Sequence, residues 1–233
     1  ASFHINLRDL RQNLPGILLL AVPGVMLTTL IVGGLAGLLT PLSWPMAFVF
    51  GALISATDPV AVVALFRALG APKRLALLVE GESLFNDGTA IVVYNLVVAA
   101  AITGAFHPVA GILDFLRVSA GGLAVGFVLG WLIAQLIARI DDYLIETTLT
   151  TVLAFGSYLI AERLHFSGVL AVVAAGLVNG NLGPQGMSPT TRIVLFNFWE
   201  YVAFLANSLV FLLIGLQVNI PSLVAAWQPV LWA

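Results

Sequence analysis

The chain has 233 residues, of which 61% are hydrophobic and 9% charged, and its mean hydropathy is +1.08. A water-soluble domain is about a quarter charged, so this composition excludes a water-facing globular fold and calls for lipid. The net charge of -2 gives no footprint for nucleic acid, and the absence of cysteine excludes disulfides and thiolate metal centres.

The chain opens at Ala1 with a polar stretch (Ser2, His4, Asn6, Arg8, Asp9, Arg11) and no signal-peptide pattern. It stops at Leu231-Trp232-Ala233 within an apolar run, so an internal fragment of a longer protein is expected. A spanning helix needs about 20 mostly apolar residues. Seven stretches meet or approach that length, at about 14–39, 44–68, 75–103, 111–138, 144–163, 167–182 and 192–219. The first is entered at Pro15 and flexed near Pro23-Gly24. The fourth carries Gly121, Gly122, Gly126 and Gly130, and the sixth is short and rich in small residues, which suits close helix contact in lipid. An eighth run starts after Pro221. The expected architecture is an all-α polytopic membrane protein, one transmembrane domain over 1–233 with no soluble domain.

If the seven spans alternate, Arg8, Arg11, Arg67, Lys73, Arg74, Arg139 and Arg192 fall on one side, and Arg117 and Arg163 on the other. The positive-inside rule places the first set, including the Arg67–Arg74 loop, in the cytoplasm.

Ionisable groups inside a span are costly, so their positions carry information. The second span holds Ser55-Ala56-Thr57-Asp58-Pro59-Val60 near its middle. Pro59 has no N–H, and the residue before a proline is pushed away from helical angles. A break is expected around Thr57-Asp58-Pro59, offering carbonyls and half-helix ends to an ion. A plain kink with Asp58 capping the next half-helix is the structural alternative. The third span reads Val79-Glu80-Gly81-Glu82-Ser83-Leu84-Phe85-Asn86-Asp87-Gly88-Thr89. Helical spacing puts Glu80, Ser83 and Asp87 on one face, and Glu82 and Asn86 on a neighbouring one. Hard monovalent cations take oxygen ligands, which Ser83, Asp87 and the freed carbonyls could supply. Glu80 reads as a solvated helix start and Glu82 as a structural ion-pair member, whereas Asp87 has no Lys or Arg nearby in its span.

Elsewhere the polar residues point to structure. Glu146 opens the fifth span beside Thr147, Thr148, Thr150 and Thr151 and suits the helix dipole. Asp114 with Arg117, and Glu162 with Arg163, are pairs near span ends. Glu200, Asn207 and Ser208 in the seventh span are expected to meet neighbouring helices, Glu200 against a buried partner. His4, His107 and His165 lack metal-ligand spacing.

Ser-Ala-Thr-Asp-Pro-Val-Ala-Val-Val at 55–63 and Leu-Val-Glu-Gly-Glu-Ser-Leu-Phe-Asn-Asp-Gly at 78–88 resemble the cation:proton antiporter-1 family of sodium/proton exchangers. The likeness continues through 167–176 and 198–205. It implies an inverted-repeat fold of roughly twelve to fourteen helices, usually a homodimer, in which the second span is one of two crossed broken helices. It further implies that Asp87 of the Asn86-Asp87 pair holds either a cation or a proton. Ser83 and Thr57 would help ligate the cation, Asp58 would sit beside it, and Glu82 would pair with an arginine on a later helix.

One buried carboxylate that takes either a proton or a cation, and faces each side of the membrane in turn, is sufficient for exchange. The expected activity is secondary antiport of a monovalent cation, sodium before potassium or lithium, against protons, without enzyme chemistry or a cofactor. Neutral Asn86 beside Asp87 predicts electroneutral exchange, in a multi-pass protein of a plasma or inner membrane serving pH homeostasis. A cation channel or a structural membrane subunit is the alternative. An intramembrane aspartyl protease is rejected, because Leu84-Phe85-Asn86 precedes Asp87 where Gly-x-Gly would be needed.

Overall fold

A computed structural model describes residues 7–104, 108–221 and 227. His4, His107 and the run after Pro221 lie outside the described residues. Among the described residues the fold is all-helical, in the order α1 (Leu7–Leu39), α2 (Trp44–Leu53), α3 (Val60–Ala68), α4 (Lys73–Thr103), α5 (Pro108–Ile137), α6 (Tyr143–Arg163), α7 (Gly168–Gly186) and α8 (Pro189–Gln217). Five of these, α1, α4, α5, α6 and α8, are long and apolar enough to cross a membrane, while α2 and α7 are shorter apolar helices.

The helix α1 begins well before the expected entry at Pro15 and keeps both Pro15 and Pro23 inside it. At 33 residues it is roughly 50 Å long, more than the hydrocarbon of about 30 Å. Its first turns carry exposed Arg8, Asp9 and Arg11, so water can replace the bond that Pro15 denies to the Arg11 carbonyl. The second expected span is two helices of 10 and 9 residues. Each covers about 14 Å, and neither crosses alone.

Helix ends follow local chemistry. Gly104 closes α4 in the left-handed region at φ 68°, donating its N–H to the Ala100 carbonyl. Asp142 caps α6 by accepting from the Leu144 and Ile145 amides, and Ser167 and Ser188 cap α7 and α8.

Small residues set the closest approaches. A Cβ on Gly122 would strike the Ser167 carbonyl oxygen, one on Gly126 that of Ala171, and one on Gly130 would come 2.9 Å from that of Ala175. Both helices advance by four residues per contact, so α5 and α7 run parallel, backbone against backbone. Gly33 of α1 and Gly51 of α2 make the corresponding antiparallel approach.

The ends sort as alternation requires. Arg74 Nε donates to Asn13 Oδ1 at 2.9 Å, the Leu7 amide to Asn181 Oδ1 at 2.9 Å, and Gly186 lies on Ala138. The start of α1, the α3–α4 turn, the α5–α6 turn and the α7–α8 turn therefore share one end, and it holds Arg8, Arg11, Lys73, Arg74, Arg139 and Arg192. Helix α8 packs through its first turns only, with Leu195 joining Ile137 and Met187 in a buried cluster. From Glu200 to Gln217 every residue but Val202 is exposed. Glu200, Asn207 and Ser208, expected against neighbouring helices, thus stand on a face that no other described helix of this chain covers.

Candidate functional site

The break in the second span lies over Ile54–Pro59. Ile54 and Ser55 donate their amides back to Phe50 and Ala52, and the Ser55 hydroxyl adds a 2.7 Å bond to the Ala52 carbonyl, closing α2. Helical bonding resumes where the Val63 amide reaches the Pro59 carbonyl at 2.8 Å. Pro59, with a fixed φ and no N–H to lose, is a low-cost residue at the start of a helix. The expected interruption at Thr57-Asp58-Pro59 is present, and it is wider than a kink.

Helix α4 passes beside this break and buries Gly81, Ser83, Leu84, Asn86, Gly88 and Thr89. Gly81 admits Ile17 and Gly88 admits Leu170, so glycine at both places lets neighbours close over the polar stretch. Asn86 is 2% exposed and is the best-anchored of the candidate residues. Its Nδ2 donates to Thr57 Oγ1 at 2.9 Å and to Glu82 Oε1 at 2.8 Å. One amide thus ties the unwound backbone to α4 and holds a carboxylate one turn away. Its Oδ1 is buried without a partner among the described residues. A buried carbonyl oxygen left so costs about 1–3 kcal/mol, and it is the kind of ligand a hard cation prefers.

Glu82, whose expected arginine lies on a later helix, accepts the Asn86 amide here, and neither it nor Asp87 pairs with a Lys or Arg among the described residues. Asp58 and Glu82 both lie within electrostatic range of Asp87. Such a group of carboxylates favours a cation or a proton between them. Ser83 is buried, Pro59 half-buried, and Thr57, Asp58 and Asp87 are exposed. Asp87 sits on a side of α4 that none of the other described helices covers. The structure brings Thr57, Glu82 and Asn86 into direct contact, with Asp58 and Asp87 at the margin.

Among the buried polar groups outside this cluster, Asn179 and Glu146 are the largest side chains. Asn179 on α7 is 1% exposed, and neither of its amide atoms has a partner among the described residues. Glu146 is 0% exposed with both oxygens unpartnered. Glu146 stands in the first turn of α6, where a dipole role is expected, while the capping bonds belong to Asp142 and Glu146 itself is buried. The buried run Glu146, Thr150, Ser157 at helical spacing is visible in the sequence and carries that signal.

The chain matches the family described as "Sodium/hydrogen exchanger, transmembrane" over residues 1–233. It is 44% identical over 233 residues to the Na(+)/H(+) antiporter ApNhaP of Aphanothece halophytica, covering 99% of this chain and 45% of that one. It is 44% identical over 232 residues to the Na(+)/H(+) antiporter NhaG of Bacillus atrophaeus, covering 97% and 44%. The chain thus spans less than half the length of these relatives. Its fold is similar to that of the sodium proton antiporter MjNhaP1 from Methanocaldococcus jannaschii, with a TM-score of 0.79 at 21% identity, over 95% of this chain and 55% of that one. Since the family match runs through the broken helix, the Asn86-Asp87 pair and every described helix, this chain belongs to the sodium/hydrogen exchanger family.

Proposed function

We propose that the full-length protein is a secondary antiporter that exchanges a monovalent cation, sodium first, for protons, and that this chain supplies its ion-exchanging half-site. The observation that carries this reading is the Asn86 amide, which holds Thr57 of the break and Glu82 of α4 at once and so keeps the unwound backbone beside Asp87. Asp87 is the carboxylate that carries either ion. Thr57, Ser83 and the Asn86 oxygen ligate the cation, Asp58 adds negative charge, and Pro59 maintains the break. A channel needs a continuous pore and gains little from such a carboxylate.

The protein is a multi-pass membrane protein by family and by its apolar helices. We place the end bearing Arg8, Arg11, Lys73, Arg74, Arg139 and Arg192, with the Arg67–Arg74 turn, in the cytoplasm by the positive-inside rule. The setting is a plasma or inner membrane, the assembly a homodimer in lipid, the role pH and sodium balance, and no cofactor is required. The test is cation-dependent proton flux in vesicles carrying the full-length protein. Sodium addition dissipates an imposed proton gradient, and Asp87→Asn abolishes that response while the protein still inserts and purifies. Flux retained in Asp87→Asn overturns the assignment.

A further inference from the structure

Glu146 lies on α6, which packs against α5, α7 and α8, whereas the candidate exchange site lies on α4 beside the α2–α3 break. Its carboxyl is fully buried, and neither oxygen makes a well-formed hydrogen bond among the described residues; the Thr191 hydroxyl of α8 and the Asp142 backbone are within looser hydrogen-bonding reach of it. One turn on along the same face is Thr150, 4% exposed, which accepts from Trp199 Nε1 at 3.1 Å. Thr191 is 2% exposed.

On the segments next to Glu146 the charged groups are few. Asp141 and Asp142 precede Glu146, both exposed, and Asp142 is occupied with the Leu144 and Ile145 amides. Arg139 follows α5 and is exposed. Arg192 of α8 donates to the Pro184 carbonyl. From α7 the buried polar group is neutral Asn179. No arginine or lysine pairs with Glu146 among the described residues, and two further carboxylates are close by. An ionised carboxyl cannot be held there without a compensating positive charge.

We propose that Glu146, with the hydroxyls of Thr150 and Thr191, is a second binding site for one unit of positive charge, a proton or a monovalent cation, separate from the exchange site. Occupancy joins α6 to α8 at the basic end of the molecule. Loss of the bound charge leaves an unpaired buried anion whose need for water favours opening of the α6–α8 junction, so the site makes that junction responsive to ions on that side.

The test uses the full-length protein carrying Asp87→Asn, so that the readout does not depend on the proposed antiport; Asp58 and Glu82 are the same in every variant compared, so the difference made at position 146 reports Glu146 alone. Its melting temperature in detergent is followed as pH is lowered, and separately as NaCl replaces choline chloride at fixed pH. Ligand that binds only the folded state raises that temperature. The expected result is a rise of a few degrees in one of the two arms, acidification identifying a proton and sodium a cation. Glu146→Gln, neutral and of the same shape, is expected to start at a higher melting temperature and to lose the part of the rise that Glu146 supplies. Thr191→Val is expected to weaken the response while leaving the fold intact. A Glu146→Gln protein that still responds as its Glu146 counterpart does, or a Glu146 protein that responds in neither arm, overturns the proposal.

Discussion

Asn86, the neutral member of the Asn86-Asp87 pair, is the one that α4 buries. Its amide spends both hydrogens on named partners, so its loss frees two oxygens at once, Thr57 Oγ1 and Glu82 Oε1. Asn86→Ala and Thr57→Val are therefore expected to be non-additive, with a coupling of about 1 kcal/mol, read from melting of the two single variants and the double variant in the full-length protein. Additive losses would mean that the Thr57 bond contributes nothing. The residue types of this site are legible in the sequence, because carboxylates inside an apolar span are too costly to persist there without a use. The bonding is not. Thr57 and Asn86 are 29 positions apart, and nothing in either segment states that one amide joins them. Glu146 is easily passed over for a different reason: its place in the first turn of a helix gives it a sufficient local role, and only the spacing of Glu146, Thr150 and Ser157 marks the face that the neighbouring helices bury.

The spans are legible because lipid imposes a length on them, and the break because proline removes a donor at a known place. Helix ends are less so. The early start of α1 is hidden because polar residues outside the hydrocarbon look alike in a helix or a loop. Pro59→Ala restores an N–H and removes the ring that favours the restart at Val60, and so is expected to extend helix through Ile54–Pro59. Cation-driven flux then falls more than melting temperature does; unchanged flux would make the break incidental. Gly126→Leu tests the other close contact. A side chain there meets the Ala171 carbonyl, a backbone atom that cannot swing aside. It is expected to destabilise the protein by about 1–3 kcal/mol through overpacking, seen as lower melting temperature and reduced expression, whereas Gly156→Leu, with open space around it, is expected to be neutral.

At the scale of the whole molecule the helices form two groups. Helices α1, α2 and α4 pack closely on one another, as do α5, α6 and α7, while the seam between the groups, where α4 meets α5 and α7, is much thinner. The exchange-site residues belong to the first group and Glu146 to the second. Motion of one group past the other would carry the site without dismantling it. On the proposed reading, Asp87 beside the neutral Asn86 amide would carry one charge each way. The full-length protein in sealed vesicles is therefore expected to exchange cation for proton at a rate indifferent to an imposed potential. Cation accumulation driven by potential alone would bring in Asp58 as a second carrier.

The stripe of Gly122, Gly126 and Gly130 against Ser167, Ala171 and Ala175 has one more property. Both rows repeat every four residues, so sliding α5 along α7 by one repeat, roughly 6 Å, would lay glycine over a small residue again. Such a pairing resembles a rack with evenly cut teeth, which resists small slips but does not choose among whole steps. The choice is made at one end, where the Ser167 amide donates to the Val118 carbonyl at 3.1 Å and the Phe166 ring fills the space beside Gly121. That latch, not the long toothed contact, sets the height of α7, and with it the level at which α8 begins.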